Sequence, residues 1–488
     1  MSFAHCNGEM TDTTIPTLLS RDSGEPLADQ IVRMISARID DKQLRAGARM
    51  PSIRRFASAH GVSPFTVVAS YDRLVAQGYL ESRRGAGFFV RERAPLNTAL
   101  RRDDPDIAGA LEKRALDVVW LVRHMFRQLP GQPTSAAGVL PTAWLDGQGV
   151  ANALRAVSRQ NSSALLNYAS PQGYAPLREQ LQRKLAELEI AAAPEQFVTT
   201  LGVTQGLDLV AREFCRPGDT VFVDDPAWFL MFGSFAAMGL KVVGIRRQAD
   251  GPDLAEFEAL AALHKPRLYI INSVLHNPSS TSLSAAKAFQ ILRIAERHDI
   301  TLVEDDIYCD LHPGGSQPAT RLAALDQLQR VIYLGGFSKS LAPNLRVGFI
   351  AASSDIAQRL ADRKMLATLS TSDLGERVVY KILSEGVYRK HLDRIRARLD
   401  AIRPSVLRRI ESLGMTLEPA PTAGMFAWAD CGRDTNVLAA RAMDEGLLLA
   451  PGSLFSPNQL PSTKLRLNVA AMEDDTAWRF LERELTAA

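Results

Sequence analysis

One lysine of this chain stands where it could hold a carbonyl compound covalently. An apolar run over residues 331–334 leads into the glycine-rich segment 335–348, which contains Lys339. A lysine amine is nucleophilic only when it is neutral, and burial or cationic neighbours lower its pKa enough to leave it so. Ser338 and Arg346, in the same segment, could hold a phosphate group. These residues predict a site for a phosphorylated carbonyl cofactor.

The sequence around this segment shows the alternation of strands and helices that is typical of an α/β protein. Beyond about residue 135, short apolar runs alternate with helical patterns, which indicates a mostly parallel sheet covered by helices. The runs are 221–223, 268–271, 302–303, 331–334 and 348–351. Ligands of such sheets bind at the carboxyl ends of the strands, and polar motifs follow several of these runs.

Several of these motifs contain residue types that suit the same cofactor. A carboxylate from the segment 304–306 can stabilise a cationic group of a ligand, and Trp228 offers an aromatic plane for stacking. The segment 200–207 predicts a strand that passes into a helix, whose free amides bind phosphate. Arg466 is a fork-shaped donor that suits a carboxylate. Each motif alone is common in turns and cores. The prediction of a cofactor site therefore depends on the presence of all the motifs together in this order.

In order and spacing, these motifs resemble those of fold-type I enzymes that use pyridoxal 5′-phosphate (PLP), above all class I aminotransferases. The resemblance covers roughly residues 135–488. It implies that Lys339 forms the internal aldimine with PLP and that Arg346 and Ser338 bind the phosphate.

The resemblance assigns the other contacts in the same way. Asp305 lies against the pyridine nitrogen, with Asp306 as the alternative because the register of the double aspartate is open. The remaining cofactor-binding candidates are Asn277, which donates to the ring oxygen, Tyr308, Trp228, Val203 and Thr204. Arg466 and Tyr168 are the candidates for contact with a substrate or effector.

Four positions depart from the family pattern. Val203 replaces a serine and Thr204 a glutamine in the phosphate-binding segment. Ser280 replaces a glycine after the Asn-Pro turn, and Gly336 replaces a serine of some relatives. Val203 and Gly336 each remove a hydroxyl and predict weaker phosphate binding, whereas Thr204 adds a hydroxyl. Val203, Ser280 and Gly336 favour regulation over catalysis.

The first 95 residues follow a different pattern. Capping residues and apolar spacing predict helices over 27–39, 50–60 and 63–77, and glycines predict a β-hairpin over 79–90. The two short helices, joined by a short turn, form the helix-turn-helix geometry, in which the second helix enters the major groove of DNA. Between residues 42 and 91 there are nine Lys and Arg and two Asp and Glu, a basic footprint suited to nucleic acid, although charge alone does not decide it.

The segment 25–93 resembles the winged helix-turn-helix of the GntR family. The motifs are a Pro-Ser-x-Arg helix, a Val-Ser-x-x-Thr-Val helix and a Gly-Tyr-Leu wing. The resemblance implies contacts with DNA for Arg49, Ser52, Arg54, Ser63, Thr66, Arg83 and Gly87. Tyr71, Val67 and Leu74 are instead predicted to be core residues.

Composition indicates the general class of protein. The 488 residues, 46% hydrophobic and 23% charged, suggest a globular chain of two or three domains. No apolar stretch is long enough for a membrane helix and the N-terminus has no signal-peptide pattern, so we expect a cytoplasmic protein without a membrane role. The four cysteines and eight histidines show no ligand spacing, so no metal is predicted.

The fold class predicted is multidomain. An N-terminal winged helix-turn-helix, helical with a β-wing, precedes an α/β fold-type I PLP-dependent aminotransferase-like domain with a mostly parallel sheet. The predicted boundaries are a tail over 1–24, the DNA-binding domain over 25–93, a linker with a helix (107–128) over 94–134, and the PLP-binding domain over 135–488.

The two resemblances together point to MocR-type regulators, a GntR subfamily. They imply a homodimer that binds a double-stranded DNA operator, with PLP on Lys339 and an amino acid or amine effector modulating its activity. The alternative is an active PLP-dependent aminotransferase with an accessory DNA-binding head, so whether the protein is an enzyme stays open.

Overall fold

The structure is a computed structural model, which describes residues 19–20, 24–92, 135–159, 166–313 and 319–486. The chain divides into two compact units, residues 1–113 and 114–488. The predicted linker 94–134, with its helix over 107–128, lies outside the described residues and stays a prediction.

Three helices and one hairpin build the N-terminal unit, whose described part, residues 24–92, is called the head below. The elements are α1 (Leu27–Asp40), α2 (Ile53–His60), α3 (Pro64–Ala76), β1 (Leu80–Arg83) and β2 (Gly87–Val90), with β1 and β2 antiparallel. The second helix begins at Ile53 rather than at residue 50, because Ser52 caps it and accepts a hydrogen bond from the amide of Arg55 at 3.3 Å.

The head has its own hydrophobic core. Val67, Tyr71 and Leu74 are fully buried in it, which confirms their prediction as core residues. The hydroxyl of Tyr71 donates to the carbonyl of Pro51 at 3.1 Å, so its one polar group is satisfied. This core fixes α3 against α1 and α2.

Among the described residues, the main sheet of the C-terminal unit has eight strands. They are β3 (Phe197–Thr200), β4 (Thr220–Asp225), β5 (Lys241–Gln248), β6 (Gly251–Pro252), β7 (Leu268–Ile271), β8 (Thr301–Asp305), β9 (Val331–Gly336) and β10 (Gly348–Ala351). Their order is β3-β10-β9-β8-β7-β4-β5-β6. The five strands β9, β8, β7, β4 and β5 run parallel, whereas β10 is antiparallel to both of its neighbours.

Helices cover both faces of this sheet. Val221 and Val223 pack into one hydrophobic cluster and Phe222, between them, packs into another. Both faces of the strand are therefore buried, as expected for a parallel sheet. The helices of this unit are α4 (Gly147–Ser158), α5 (Ala175–Ala186), α6 (Val203–Phe214), α7 (Leu230–Ala237), α8 (Leu254–His264), α9 (Ala285–Arg297), α10 (Leu322–Asp326), α11 (Ser354–Thr368), α12 (Leu374–Ser384) and α13 (Val387–Ser412).

A smaller antiparallel sheet follows near the C-terminus. Its strands are β11 (Thr416–Leu417), β12 (Phe426–Asp430), β13 (Ala450–Pro451) and β14 (Lys464–Asn468), in the order β11-β12-β14-β13. The helices α14 (Thr435–Asp444) and α15 (Asp475–Thr486) share a hydrophobic cluster with it. This sheet carries Arg466 on β14.

Candidate functional site

A pocket lies at the carboxyl ends of β4, β7, β8 and β9. The residues that line it are Val203, Thr204, Asp224, Ala227, Trp228, Met231, Ile270, Asn272, Asn277, Asp305, Ile307, Tyr308, Ser338, Lys339 and Arg346. Every cofactor-binding candidate named from the sequence is in this set. Parallel strands end at the same edge, which explains why motifs distant in sequence meet here.

Lys339 has the electrostatic surroundings of a nucleophile. Burial lowers its pKa to about 8, and the nearby charge of Arg466 acts in the same direction, while Asp305 opposes them. A lysine with this pKa is roughly a tenth neutral at pH 7, several hundred times more than an ordinary lysine. The chain thus supplies a lysine amine able to attack a carbonyl.

The structure distinguishes the two aspartates after β8. Asp305 lines the pocket, and its Oδ1 accepts a hydrogen bond from the amide of Ile307 at 3.2 Å. Asp306 turns away, where Arg321 donates to it at 2.6 Å and the Tyr333 hydroxyl at 2.9 Å. Asp305 is therefore the carboxylate available to a ligand.

A cationic partner would stabilise the negative charge of Asp305. Burial raises the pKa of its carboxyl to about 7, since the anion loses hydration there. A protonated ring nitrogen beside it would stabilise the anion and lower this pKa. The carboxyl is thus poised to pair with a pyridine nitrogen.

A chain of hydrogen bonds joins Tyr308, Asn277 and Arg466. The side-chain amide of Asn277 donates to the Tyr308 hydroxyl at 3.2 Å, and its oxygen accepts from a guanidinium nitrogen of Arg466 at 2.8 Å. Phe426 and Phe455 lie against the guanidinium, at 4.6 and 4.9 Å from their ring centroids. This chain holds three predicted site residues in one arrangement.

Arg466 is buried, and no carboxylate of the described residues forms a hydrogen bond with it. Its second terminal nitrogen donates to the Ala136 carbonyl at 2.5 Å, and its Nε has no hydrogen-bond partner among the described residues. Burial lowers its pKa to about 10, because the charged guanidinium loses hydration there. A carboxylate ligand would compensate that charge.

The phosphate end of the pocket is formed by the start of α6 and by Arg346. Gly202, at the N-cap of α6, has φ 80°, and no side chain of the described residues caps the first amides of the helix. Arg346 donates to the Leu201 carbonyl at 2.7 Å, and a Cβ at Gly202 would come within 2.9 Å of its guanidinium. Glycine at 202 therefore allows the arginine and the helix start to share one anion-binding corner.

Two of the departures from the family pattern have local explanations. Ser280 adopts φ 55°, and its hydroxyl donates to the Phe426 carbonyl at 3.0 Å and accepts from the Phe426 amide at 3.2 Å. The serine thus keeps the left-handed turn and ties it to β12. A Cβ at Gly336 would lie 3.0 Å from Ile307 and 3.2 Å from the Val347 carbonyl, so a serine there is crowded.

A segment that lies beside Lys339 and Arg466, residues 136–139, was missed in the sequence. Asn468 donates to the carbonyls of Ala137 at 2.9 Å and Val139 at 2.7 Å. A Cβ at Gly138, between them, would lie 3.7 Å from Lys339 Nζ and 3.8 Å from Arg466. Arg466 and Asn468 are two apart on β14, a spacing that puts both on one face. That spacing was the available signal.

A buried polar cluster behind the lysine loop was also missed. The Asp310 carboxylate accepts hydrogen bonds from Lys184 and, at 2.6 Å, from the Tyr388 hydroxyl. The Tyr388 hydroxyl also lies 2.5 Å from that of Ser340, the residue after Lys339. Because Asp310 follows the Asp305–Tyr308 loop, the cluster joins both ligand-binding loops to α5 and α13.

Tyr168 is not brought to this pocket. Its side chain is 86% exposed and lies beside the segment 370–374 instead. It therefore does not contact the pocket of its own chain.

The predicted DNA-binding residues lie mainly on the surface of the head. Arg49, Arg54, Ser52, Ser63, Arg83 and Gly87 are exposed and Thr66 is partly buried. Ser63 caps α3 by accepting from the Thr66 amide at 3.0 Å. Arg83 lies over the Phe89 ring at 4.5 Å and pairs with Glu81, so it has partners in the hairpin.

Comparison with known proteins places this geometry in a family. Residues 136–483 match the family described as aminotransferase class I and II. The chain belongs to that family. Residues 27–90 match the bacterial regulatory proteins of the gntR family, so the chain combines a GntR helix-turn-helix domain with an aminotransferase class I and II domain, as predicted.

Some relatives match most of this chain, and others match mainly its aminotransferase class I and II domain. The chain is 30% identical over 394 residues to the probable rhizopine catabolism regulatory protein MocR of Rhizobium meliloti, covering 80% of this chain and 78% of MocR. It is 26% identical to the HTH-type transcriptional regulator YdfD of Bacillus subtilis, covering 92% and 94% of the two chains. Among solved structures it resembles LysN, the α-aminoadipate aminotransferase of Thermus thermophilus complexed with N-(5′-phosphopyridoxyl)-L-leucine, with TM-score 0.67, 27% identity, and coverage of 74% and 94%.

The pocket fits the cofactor that the family fold indicates, PLP. Lys339, whose pKa is lowered, matches the aldehyde of PLP. Asp305, whose pKa is raised by burial, matches the ring nitrogen, and the start of α6 matches the phosphate. The described part of the chain contains no helix long and apolar enough to cross a membrane. Nor do the described residues include a group of three or more His, Cys, Asp and Glu arranged to hold a metal ion.

Proposed function

We propose that this protein is a transcription regulator that binds operator DNA through its head and is modulated by PLP held covalently on Lys339. The observation that carries the proposal is the presence, in one chain, of a GntR head and a pocket with a lysine of lowered pKa. When bound, PLP supplies an aldehyde that condenses with amines and a ring that withdraws electrons from the carbon beside the amine.

The chain's own residues divide the work of binding. Lys339 provides the neutral amine, and Asp305 holds the ring nitrogen in its protonated form. Arg346, Ser338 and the first amides of α6 hold the phosphate. Trp228 stacks on the ring, and Asn277 and Tyr308 donate to its oxygen.

The effector is proposed to be an amino acid or another amine. Lys339 would hold the aldehyde carbon of the cofactor, the group that reacts with amines, and Arg466 would bind the carboxylate of an amino acid. The support is the uncompensated charge of Arg466, whose Nε has no hydrogen-bond partner among the residues described. An amino acid would therefore change the contacts of both Lys339 and Arg466. It alters DNA binding only if the DNA-binding state and the free state bind the amino acid with different affinities.

A homodimer is proposed as the DNA-binding form. Two heads related by a twofold axis bind two half-sites of a palindromic operator. The exposed Tyr168, which does not contact its own pocket, is proposed to contact the site of a partner subunit. This assembly would make each cofactor site depend on both chains.

The experiment that tests the regulator proposal is DNA selection. Full-length, PLP-loaded protein is incubated with a random duplex pool at physiological salt, because phosphate contacts alone give sequence-independent binding. Enrichment of a paired half-site sequence is expected. A pool that stays random after repeated rounds would contradict the proposal.

The second candidate is an active aminotransferase. It is favoured by Lys339 and Asp305, which line the pocket, and by Arg466, which donates to the pocket residue Asn277 at 2.8 Å. Transfer of an amino group from an amino acid to 2-oxoglutarate, absent in Lys339→Ala, would establish it. Activity of this kind, together with a random selected pool, would make the enzyme the better account.

A further inference from the structure

Phe65 is an exposed aromatic residue at the start of α3, the helix that enters the major groove in the proposed DNA complex. Its side chain is 83% exposed. Within the described head, it is the one large hydrophobic residue that is exposed to this degree. Single exposed hydrophobic residues are common on protein surfaces, so exposure alone does not indicate a function for Phe65. The location of Phe65 on α3 does.

The position of Phe65 on α3 is opposite to the core. At about 100° per residue, Val67, Tyr71 and Leu74 lie roughly 180° to 240° around the helix axis from Phe65. All three are fully buried in the head. Phe65 therefore projects from the face of α3 that faces away from the protein.

The polar side chains at this end of α3 already have partners. The Ser63 hydroxyl accepts from the Thr66 amide at 3.0 Å and lies 2.7 Å from the Thr66 hydroxyl. Pro64 has no amide hydrogen to donate. Contacts made by the first turn are thus more apolar than its Ser and Thr content suggests.

The charges of the head indicate which kind of partner it binds. Arg49, Arg54 and Arg84 are exposed on the same small domain, and the segment 42–91 has nine basic and two acidic residues. A surface of this charge attracts a polyanion such as DNA. Unmodified DNA presents an apolar group in its major groove, the C5 methyl of thymine.

We infer that Phe65 is a specificity-determining residue that recognises thymine, packing its ring on the C5 methyl group in the major groove. This rests on the proposed function, since it specifies which base the head reads. Phe65 adds no charge, so it contributes to the choice of sequence and leaves the phosphate contacts to the arginines.

The test uses the full-length protein and the duplex that the wild-type protein selects. Each thymine of a half-site is replaced in turn by deoxyuridine, which removes only the methyl group. For the wild-type protein, replacement of the contacted thymine is expected to weaken binding about fourfold, the value of one buried methyl group. In Phe65→Ala, the same replacement should have no effect.

Two further variants control the result. Phe289→Ala removes a phenylalanine that is 58% exposed on α9 and should leave the response to deoxyuridine unchanged. Phe65→Leu keeps an apolar side chain and should retain part of the response. The salt dependence of binding should be the same in all variants, because no phosphate contact is lost.

Two outcomes would overturn the inference while leaving the regulator intact. One is a half-site without thymine, and the other is a deoxyuridine response that Phe65→Ala leaves unaltered. A wild-type protein that selects no sequence overturns the proposed function itself, and the inference falls with it.

Discussion

Lys339 is the residue on which the cofactor chemistry depends. We expect Lys339→Ala to abolish covalent attachment of PLP, measured as protein mass after borohydride reduction, while thermal unfolding stays near wild type. Lys364 provides a matched control, because burial also lowers its pKa to about 8, but its Nζ donates to the Thr199 carbonyl at 2.8 Å outside the pocket. Folded Lys364→Met should still attach PLP. Attachment to Lys339→Ala would refute the assignment.

The pH dependence of attachment follows from the pKa of Lys339. Burial lowers this pKa to about 8, so protonation removes the nucleophile below that pH and the neutral form dominates above it. The rate of attachment should therefore rise with pH through about 8 and then level off. A rate still rising steeply near pH 10 would mean that the amine has an ordinary pKa. The measurement is stopped-flow absorbance of PLP mixed with apoprotein.

Arg466 is predicted to distinguish carboxylate effectors from simple amines. Truncation of Arg466 to Ala removes a charged donor, and such hydrogen bonds contribute about 1.5–3 kcal/mol. We expect roughly ten- to a hundredfold weaker spectral response to amino acids, with the response to the matching decarboxylated amines nearly unchanged. Equal losses for both series would show that Arg466 shapes the pocket without binding the carboxylate.

At the scale of elements, the cluster around Asp310 joins loops that are far apart in sequence. Asp310→Asn would leave the ammonium of Lys184, whose side chain is 17% exposed, without its carboxylate; the loss of one partner costs about 3–5 kcal/mol in fully buried pairs, which sets the upper limit here. Denaturant unfolding should show this loss, and a smaller one of about 1 kcal/mol for Tyr388→Phe. Adding Lys184→Met to Asp310→Asn should recover part of the stability. No recovery would mean that the ion pair is not the cause.

The same scale shows what sequence could and could not predict. Lys339, Asn277 and one carboxylate of the segment 304–306 were predictable together, because a parallel sheet gathers the residues that follow its strands. The choice of Asp305 over Asp306 was not, since it depends on Arg321 packing from a distant segment. The contacts of Gly138 likewise depend on a pairing across more than three hundred residues, which no local pattern encodes.

At the scale of the whole molecule, one chain combines a GntR head with an aminotransferase unit. The matches cover residues 27–90 and 136–483 of one chain. Coupling between the two units requires that PLP or its effector bind the DNA-bound and free states with different affinity, and such coupling is typically 1–3 kcal/mol. This corresponds to a change of about five- to 150-fold in affinity for DNA.

The central claim is tested most directly by the affinity of the full-length protein for its selected operator, with and without PLP, at physiological salt. We predict that PLP changes the affinity at least fivefold for the wild-type protein and leaves that of Lys339→Ala unchanged, while both discriminate against unrelated DNA. Equal wild-type affinity in the two conditions, at saturating attachment to Lys339, would contradict a regulator controlled by its cofactor.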